Sequence, residues 1–464
     1  MECGDLSPLC VVRDDKSGDK SPTPQQIRRR SKGIAVVTRR QFIKRGAGLV
    51  SVGLVMPRLW IPEARGQSIA ADPARRILVV IQLLGGNDGL NTVVPYTDAR
   101  YYNQRPLLSI KDSELKDKGG VSTIISNEFG LHPSLSEIRD LYEAGKVAIT
   151  LGVGYPNPTL SHFLSMDIWH TANLSGLGGE GWLGKYADVA LIGKPGLPAA
   201  SVGGVLPKTL LSDKVVIPSI INFDIYDFLT DFNYPGDSRN QLNTFNRTAG
   251  RSLSTDSVNG AINRVGLDAV SGALRFKSSV AGYSSSVTYA ADNPLAQGMK
   301  MLAQIITTVP EASLLYVTLG SFDHHSDQIS HVNNHPDKFS GLHAGLLKWF
   351  SDAVKTFYDD MAQHGLAENV VMMQWSEFGR RPNENASFGT DHGTAAPLFV
   401  IGNPVRGGLY GEQPSLAATD LDAAGNMKFT VDFRSVYATF LDKWLGVDSK
   451  SILGGAFENA GFLV

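Results

Sequence analysis

The chain has 464 residues, with 43 Lys plus Arg against 45 Asp plus Glu, so its overall charge is close to neutral. The balance is uneven along the chain: 13 of the basic residues but only 6 of the acidic ones fall in residues 1–66, leaving a net charge of about −9 beyond them. No later basic cluster is able to neutralise a phosphate backbone, which argues against nucleic acid as a partner.

Residues 1–37 are rich in Ser, Pro and charge and lack apolar periodicity, which predicts a disordered segment or an over-called start. Residues 38–66 read as a twin-arginine signal peptide. Thr38-Arg39-Arg40-Gln41-Phe42-Ile43-Lys44 fits a Ser/Thr-Arg-Arg-x-Phe-Leu-Lys pattern with Ile in place of Leu. The apolar run that follows, Gly46 to Met56, is too short and too glycine-rich to anchor in a bilayer. These features predict export to the periplasm or exterior, with the twin-arginine translocase as partner and no stable membrane span in the mature chain. Both cysteines, Cys3 and Cys10, precede the signal. The mature chain is therefore expected to lack disulfides and thiolates, so a metal would be held by His, Asp, Glu, Asn or hydroxyl ligands.

Arg76 to Leu84 is a near-continuous apolar run closed by Gly85-Gly86-Asn87-Asp88-Gly89, the pattern of a strand buried on both faces. The design recurs at Val147–Leu151, Leu314–Leu319, Val370–Trp375 and, at shorter spacing, Ala396–Gly402. Between these runs, Leu135–Tyr142 and Gly341–His364 carry apolar residues at helical spacing, and Val431–Trp444 reads as a further helix. Such alternation predicts an α/β sandwich with helices on both faces of a mostly parallel sheet, its ligand site outside the carboxyl ends of the strands. Residues 178–290 are rich in Gly, Ser, Asn and Asp and read as an insertion or cap over the sheet.

The chemistry-bearing residues follow these strands. Asp88, among glycines after the first strand, is placed to hold a divalent cation, or else to satisfy its own turn. Asp323, His324 and His325 follow the third run, with Asp327, His331, His335 and His343 close behind; Asp323 and His325 are the expected ligands. Asp391 and His392 are neighbours that point in different directions and could serve two ions, or a cap and a packing contact. Ser161 begins a helix, where the N-terminus and a nearby metal would favour its alkoxide as a nucleophile; its competing role is an N-cap, shared with Thr159. His162 is expected to donate to a transferred oxyanion or to ligate metal, with His170 as a supporting group. Glu377, Arg380 and Arg381 follow the fourth run, and Arg380 is a candidate anion clamp unless it pairs with Glu377.

Taken together, Leu84-Gly85-Gly86-Asn87-Asp88-Gly89-Leu90-Asn91, Ser161-His162-Phe163, Gly320-Ser321-Phe322-Asp323-His324-His325, Ser376-Glu377-Phe378-Gly379-Arg380 and Gly389-Thr390-Asp391-His392-Gly393 carry a family resemblance. From about residue 72 to 464 the chain resembles the bacterial twin-arginine-exported family labelled domain of unknown function 1501, whose fold is similar to that of the alkaline phosphatase and sulfatase superfamily. The resemblance implies an alkaline-phosphatase-like three-layer α/β/α sandwich with a central mostly parallel sheet and an inserted cap at about 178–290. It also implies metal ligands at Asp88, Asp323, His325, Asp391 and His392 and a nucleophile at Ser161. The chain departs from alkaline phosphatases in having no His after His392. Its Asp323-x-His325 spacing is also shorter than their Asp-x-x-x-His, which Asp327 and His331 fit. A single-metal site therefore stays open. The expected activity is metal-dependent hydrolysis of a small phosphate or sulfate ester with zinc, calcium, manganese or iron. The alternative is an inactive metal- or glycan-binding envelope protein of the same fold.

Overall fold

A computed structural model describes residues 74–463 except 195–196, 224–234, 252–258, several positions between 261 and 279, and 333–334. The expected disordered start at 1–37 and the twin-arginine signal at 38–66 lie outside the described residues.

Among the described residues nine strands form one sheet: β1 (Ile77–Leu83), β2 (Val147–Gly154), β3 (Ala199–Val202), β4 (Ser219–Ile220), β5 (Leu314–Leu319), β6 (Val370–Trp375), β7 (Ala396–Ile401), β8 (Gly408–Tyr410) and β9 (Val431–Asp432). Their order is β8-β2-β7-β6-β1-β5-β3-β4, with β9 also pairing β2. All neighbouring pairs are parallel except those made by β7, which runs antiparallel to both β6 and β2. The five apolar runs of the sequence are thus the centre of the sheet.

Side chains alternate between faces along a strand, and here both faces are covered. Ile77, Val79 and Ile81 of β1 pack with α1 (Ser136–Glu143), α4 (Pro294–Thr308) and α5 (Leu342–Gln363). Leu78 and Val80 pack on the other face with α2 (His162–Thr171), α3 (Trp182–Ala190) and α6 (Phe433–Thr439). The result is the three-layer α/β/α sandwich that the strand and helix alternation predicts.

Two elements differ from the sequence reading. The stretch 178–290 is not wholly a cap: α3, β3 and β4 lie within it, and β3 pairs in parallel with β5, extending the central sheet. Its short strands contain Ala and Ser rather than a branched apolar run, so no strand pattern stands out. The predicted helix at Val431–Trp444 begins later, because Val431 and Asp432 pair with β2 and the Asp432 carboxylate caps α6 by accepting from the Arg434 N–H at 2.9 Å. No helix among the described residues is long and apolar enough to cross a membrane.

Parallel β1, β5 and β6 all end at one rim, and antiparallel β7 begins there. Loops that are distant in sequence consequently meet. Gly85 has φ +123°, and a Cβ on it would lie 2.5 Å from the Asp323 backbone nitrogen, so glycine lets the turn after β1 rest on the loop after β5.

Candidate metal centre

Three segments deliver side chains to this rim. His162 is the first residue of α2, Asp323 and His325 follow β5, and His392 precedes β7. Ligand atoms of His162, Asp323 and His392 all lie within 4.8 Å of one another, forming a candidate metal site. His325 adjoins it, its Nε2 2.8 Å from His392 Nε2 and 3.1 Å from Asp323 Oδ1.

The partners of the opposite ring nitrogens fix the tautomers. His392 Nδ1 lies 2.8 Å from the Leu160 carbonyl, which only accepts, so Nδ1 carries the proton. His162 Nδ1 donates to Glu377 Oε1 at 2.8 Å and His325 Nδ1 to Asp391 Oδ1 at 3.0 Å. A ring that carries its proton on Nδ1 alone turns a bare Nε2 lone pair toward the same point. His162 Nε2 is 3.0 Å from His392 Nε2, and two facing lone pairs at that distance repel unless a proton or cation sits between them. Asp323 Oδ1 lies 3.1 Å from His392 Nε2, and Asp323 Oδ2 lies 3.4 Å from His162 Nε2. Convergent imidazole nitrogens beside one carboxylate, each ring held from behind by an oxygen, are the donor set of a transition-metal or zinc site.

Electrostatics agree with this geometry. Burial raises the Asp323 carboxyl, but its bonds to Arg380 and His392 outweigh that and hold it at about 2. His162 is raised above the ordinary imidazole value, chiefly by its bond to Glu377, whereas burial lowers His392. Asp391 is lowered by its bond from His325. Three carboxylates, Asp323, Glu377 and Asp391, surround the point against two guanidiniums, Arg380 on Asp323 and Arg381 near Asp391, so the surroundings carry an excess of negative charge.

The other expected site residues take different places. Asp88 lies outside the cluster: Asp88 Oδ2 accepts from Arg105 Nη1 and Gln328 Nε2, both at 2.6 Å, and the side chain is 2% exposed. Its geometry is that of a buried ion pair rather than of a ligand at the rim centre. Asp391 orients His325 and also accepts from Asn385 Nδ2 at 3.1 Å. Arg380 is buried, donating to the carbonyls of Gly85, Gly86, Phe322 and Thr390 and to Asp323 Oδ1 at 2.7 Å. It is built as a brace for Asp323 more than as a free anion clamp. Ser161 is exposed at the N-cap position of α2, yet its side chain makes no capping bond. His170, at the far end of α2, is buried against Trp375, and burial holds it near 4. Asp327 is exposed, His343 is buried beside Asn87, and the side chains of His331 and His335 lie outside the described residues.

Sequence reasoning missed Arg105, which no motif marks, and the Leu160 carbonyl, which any residue would supply. It named Glu377 only as a partner for Arg380. The proximity of Glu377 to a strand end was the available signal.

Residues 266–455 match the family described as "Protein of unknown function (DUF1501)", less than half of the chain. No curated protein matches the sequence. Among solved structures, the chain is similar to the C-terminal periplasmic domain of EcEptC from Escherichia coli in complex with Zn, at 8% identity and TM-score 0.35, covering 72% of this chain and 74% of that one. It is similar to the PsFucS1 sulfatase from Pseudoalteromonas sp. at 12% identity and TM-score 0.34, covering 84% and 72%. A protein in the alkaline phosphatase superfamily from Vibrio parahaemolyticus matches at 10% identity and TM-score 0.34, covering 88% and 77%. Similarities this distant carry no chemistry from those proteins to this chain.

Proposed function

We propose that this chain is an exported metal-dependent hydrolase of phosphate or sulfate esters, with Ser161 as nucleophile. The observation that carries the reading is the meeting of the Nε2 atoms of His162, His325 and His392 beside Asp323, with each Nδ1 held by an oxygen. Imidazole-rich donors favour zinc or iron over calcium, which prefers all-oxygen cages. When bound, a divalent ion there supplies Lewis acidity toward an anionic ester oxygen. Ser161 lies between Leu160, whose carbonyl anchors His392, and His162, and its exposed hydroxyl has no capping bond to break. The Ser161 oxygen forms a bond to phosphorus or sulfur as the ester oxygen leaves, the hydroxyl proton going to the departing alcohol, and water then cleaves that covalent ester, releasing phosphate or sulfate and regenerating the hydroxyl.

The test is metal analysis of protein exported by its native host, with turnover of aryl phosphates and aryl sulfates. Wild type should carry about one divalent ion per chain, and Ser161→Ala should keep the ion and lose turnover. Bound metal without turnover of any ester would remove the enzymatic reading. Retention of Arg39→Lys/Arg40→Lys in the cytoplasm, with wild type exported, is the matching outcome for the twin-arginine signal; export of that variant would rule the signal out.

A further inference from the structure

Resting on the metal reading above, we infer that Glu377 is the positioning residue that assembles the centre before any ion arrives, acting through His162. Glu377 follows β6 and is wholly buried. Its Oε1 accepts from the Gly85 N–H and from His162 Nδ1, both at 2.8 Å, and its Oε2 accepts from the Ser376 hydroxyl at 3.2 Å. The Ser165 hydroxyl, on α2, donates to the Glu377 carbonyl. The carboxylate is thus tied to the turn after β1, to the end of β6 and to α2 at once, and it cannot swing without breaking one of these contacts.

Among the described residues the ion-pair partner of Glu377 is His162, and no Lys or Arg forms an ion pair with it. A buried carboxylate is costly unless its charge is balanced. Here the balance is delivered through the imidazole, so positive charge on the far nitrogen of His162 satisfies Glu377 as well. The same short segment reaches the other ligands. The Phe378 ring lies 4.7 Å from the His162 ring and 4.8 Å from the His392 ring, and Arg380 donates to Asp323 Oδ1. One stretch after β6 therefore touches all three ligands, which the sequence separates by more than a hundred residues from α2 to β5.

Titration of metal-free protein with Co²⁺ tests the inference, since Co²⁺ reports both affinity and coordination in its visible spectrum. Glu377→Gln keeps an acceptor oxygen for Gly85 and His162 but removes the charge. It should weaken Co²⁺ binding about 10–100-fold and shift the visible band, with the metal-free melting temperature little changed. A wild type that binds neither Co²⁺ nor Zn²⁺ would overturn the metal reading itself. A wild type that binds, with a variant of unchanged affinity and band, would overturn the role of Glu377 alone. Should the variant not fold, ¹⁵N NMR of metal-free wild type decides: the Nδ1–H tautomer at His162 supports the inference, and the Nε2–H tautomer defeats it.

Discussion

The rim centre and the chamber around Asp88 use the same residue types, a carboxylate among imidazoles, at the same end of the sheet. At the rim, Asp323 is 46% exposed and His162 Nε2 faces His392 Nε2 at 3.0 Å. In the chamber, Asp88 and Arg105 are 2% and 0% exposed. Arg105 also donates to Asn91 Oδ1 and to the carbonyls of Arg381 and Pro382. His132, His324 and His343 surround Asp88, and burial pushes all three rings down, the first two to about 4, so they stay neutral. The difference lies in where the cation comes from. In the chamber Arg105 pairs the one carboxylate, whereas at the rim Arg380 pairs Asp323 and the facing imidazole nitrogens leave a candidate position for an added cation.

The sharpest way to break this contrast is to exchange the consequences. Arg105→Met leaves Asp88 ionised, buried and unpaired, and should cost about 3–5 kcal/mol of stability in urea unfolding while leaving Co²⁺ affinity in the surviving folded protein unchanged. His392→Ala should do the reverse, abolishing measurable Co²⁺ binding with a much smaller loss of metal-free stability. A stable Arg105→Met protein that has lost its metal would show that the chamber belongs to the site. The pH dependence of stability sharpens the point. Asp88 is pushed up by burial but held by Arg105 to about 2, below its ordinary 3.8. A depressed carboxyl contributes stability that is present above about pH 4 and is lost as pH falls through 2, here of order 2 kcal/mol. Metal-free urea unfolding between pH 4 and 2 should show this loss, and Asp88→Asn should flatten that part of the profile.

The sheet was legible because strands buried on both faces must be apolar throughout, and Leu314–Leu319 and Val370–Trp375 appear with the bounds their sequence runs suggest. The short strands Ala199–Val202 and Ser219–Ile220 were not, since runs of two to four residues containing Ala and Ser give no branched apolar pattern. That His162, Asp323, His325 and His392 share one rim was legible because they follow or precede buried strands, and topology gathers such positions there. The division of labour among them was not. Whether Asp88 meets an ion or a guanidinium depends on Arg105, seventeen residues away on no periodic pattern. Whether Asp391 binds an ion or orients a ring depends on a few tenths of an ångström that spacing does not encode.

Asp391 gives the smallest expected effect and the finest distinction. Its carboxylate is 52% exposed and meets His325 and Asn385 in solvent, where such pairs contribute about 0–1 kcal/mol. Asp391→Asn keeps an acceptor for His325 Nδ1, so metal-free stability should move by less than about 0.5 kcal/mol. Co²⁺ affinity should fall by about tenfold or less, at the weak end of the effects seen for groups behind a ligand and below that of Glu377→Gln. Glu377 is buried and tied to three elements, whereas Asp391 holds only the half-exposed His325. If Asp391→Asn weakened Co²⁺ binding more than Glu377→Gln did, the carboxylate would have to reach the ion directly, and the two-ion arrangement suggested by the adjacent Asp391 and His392 would regain its footing.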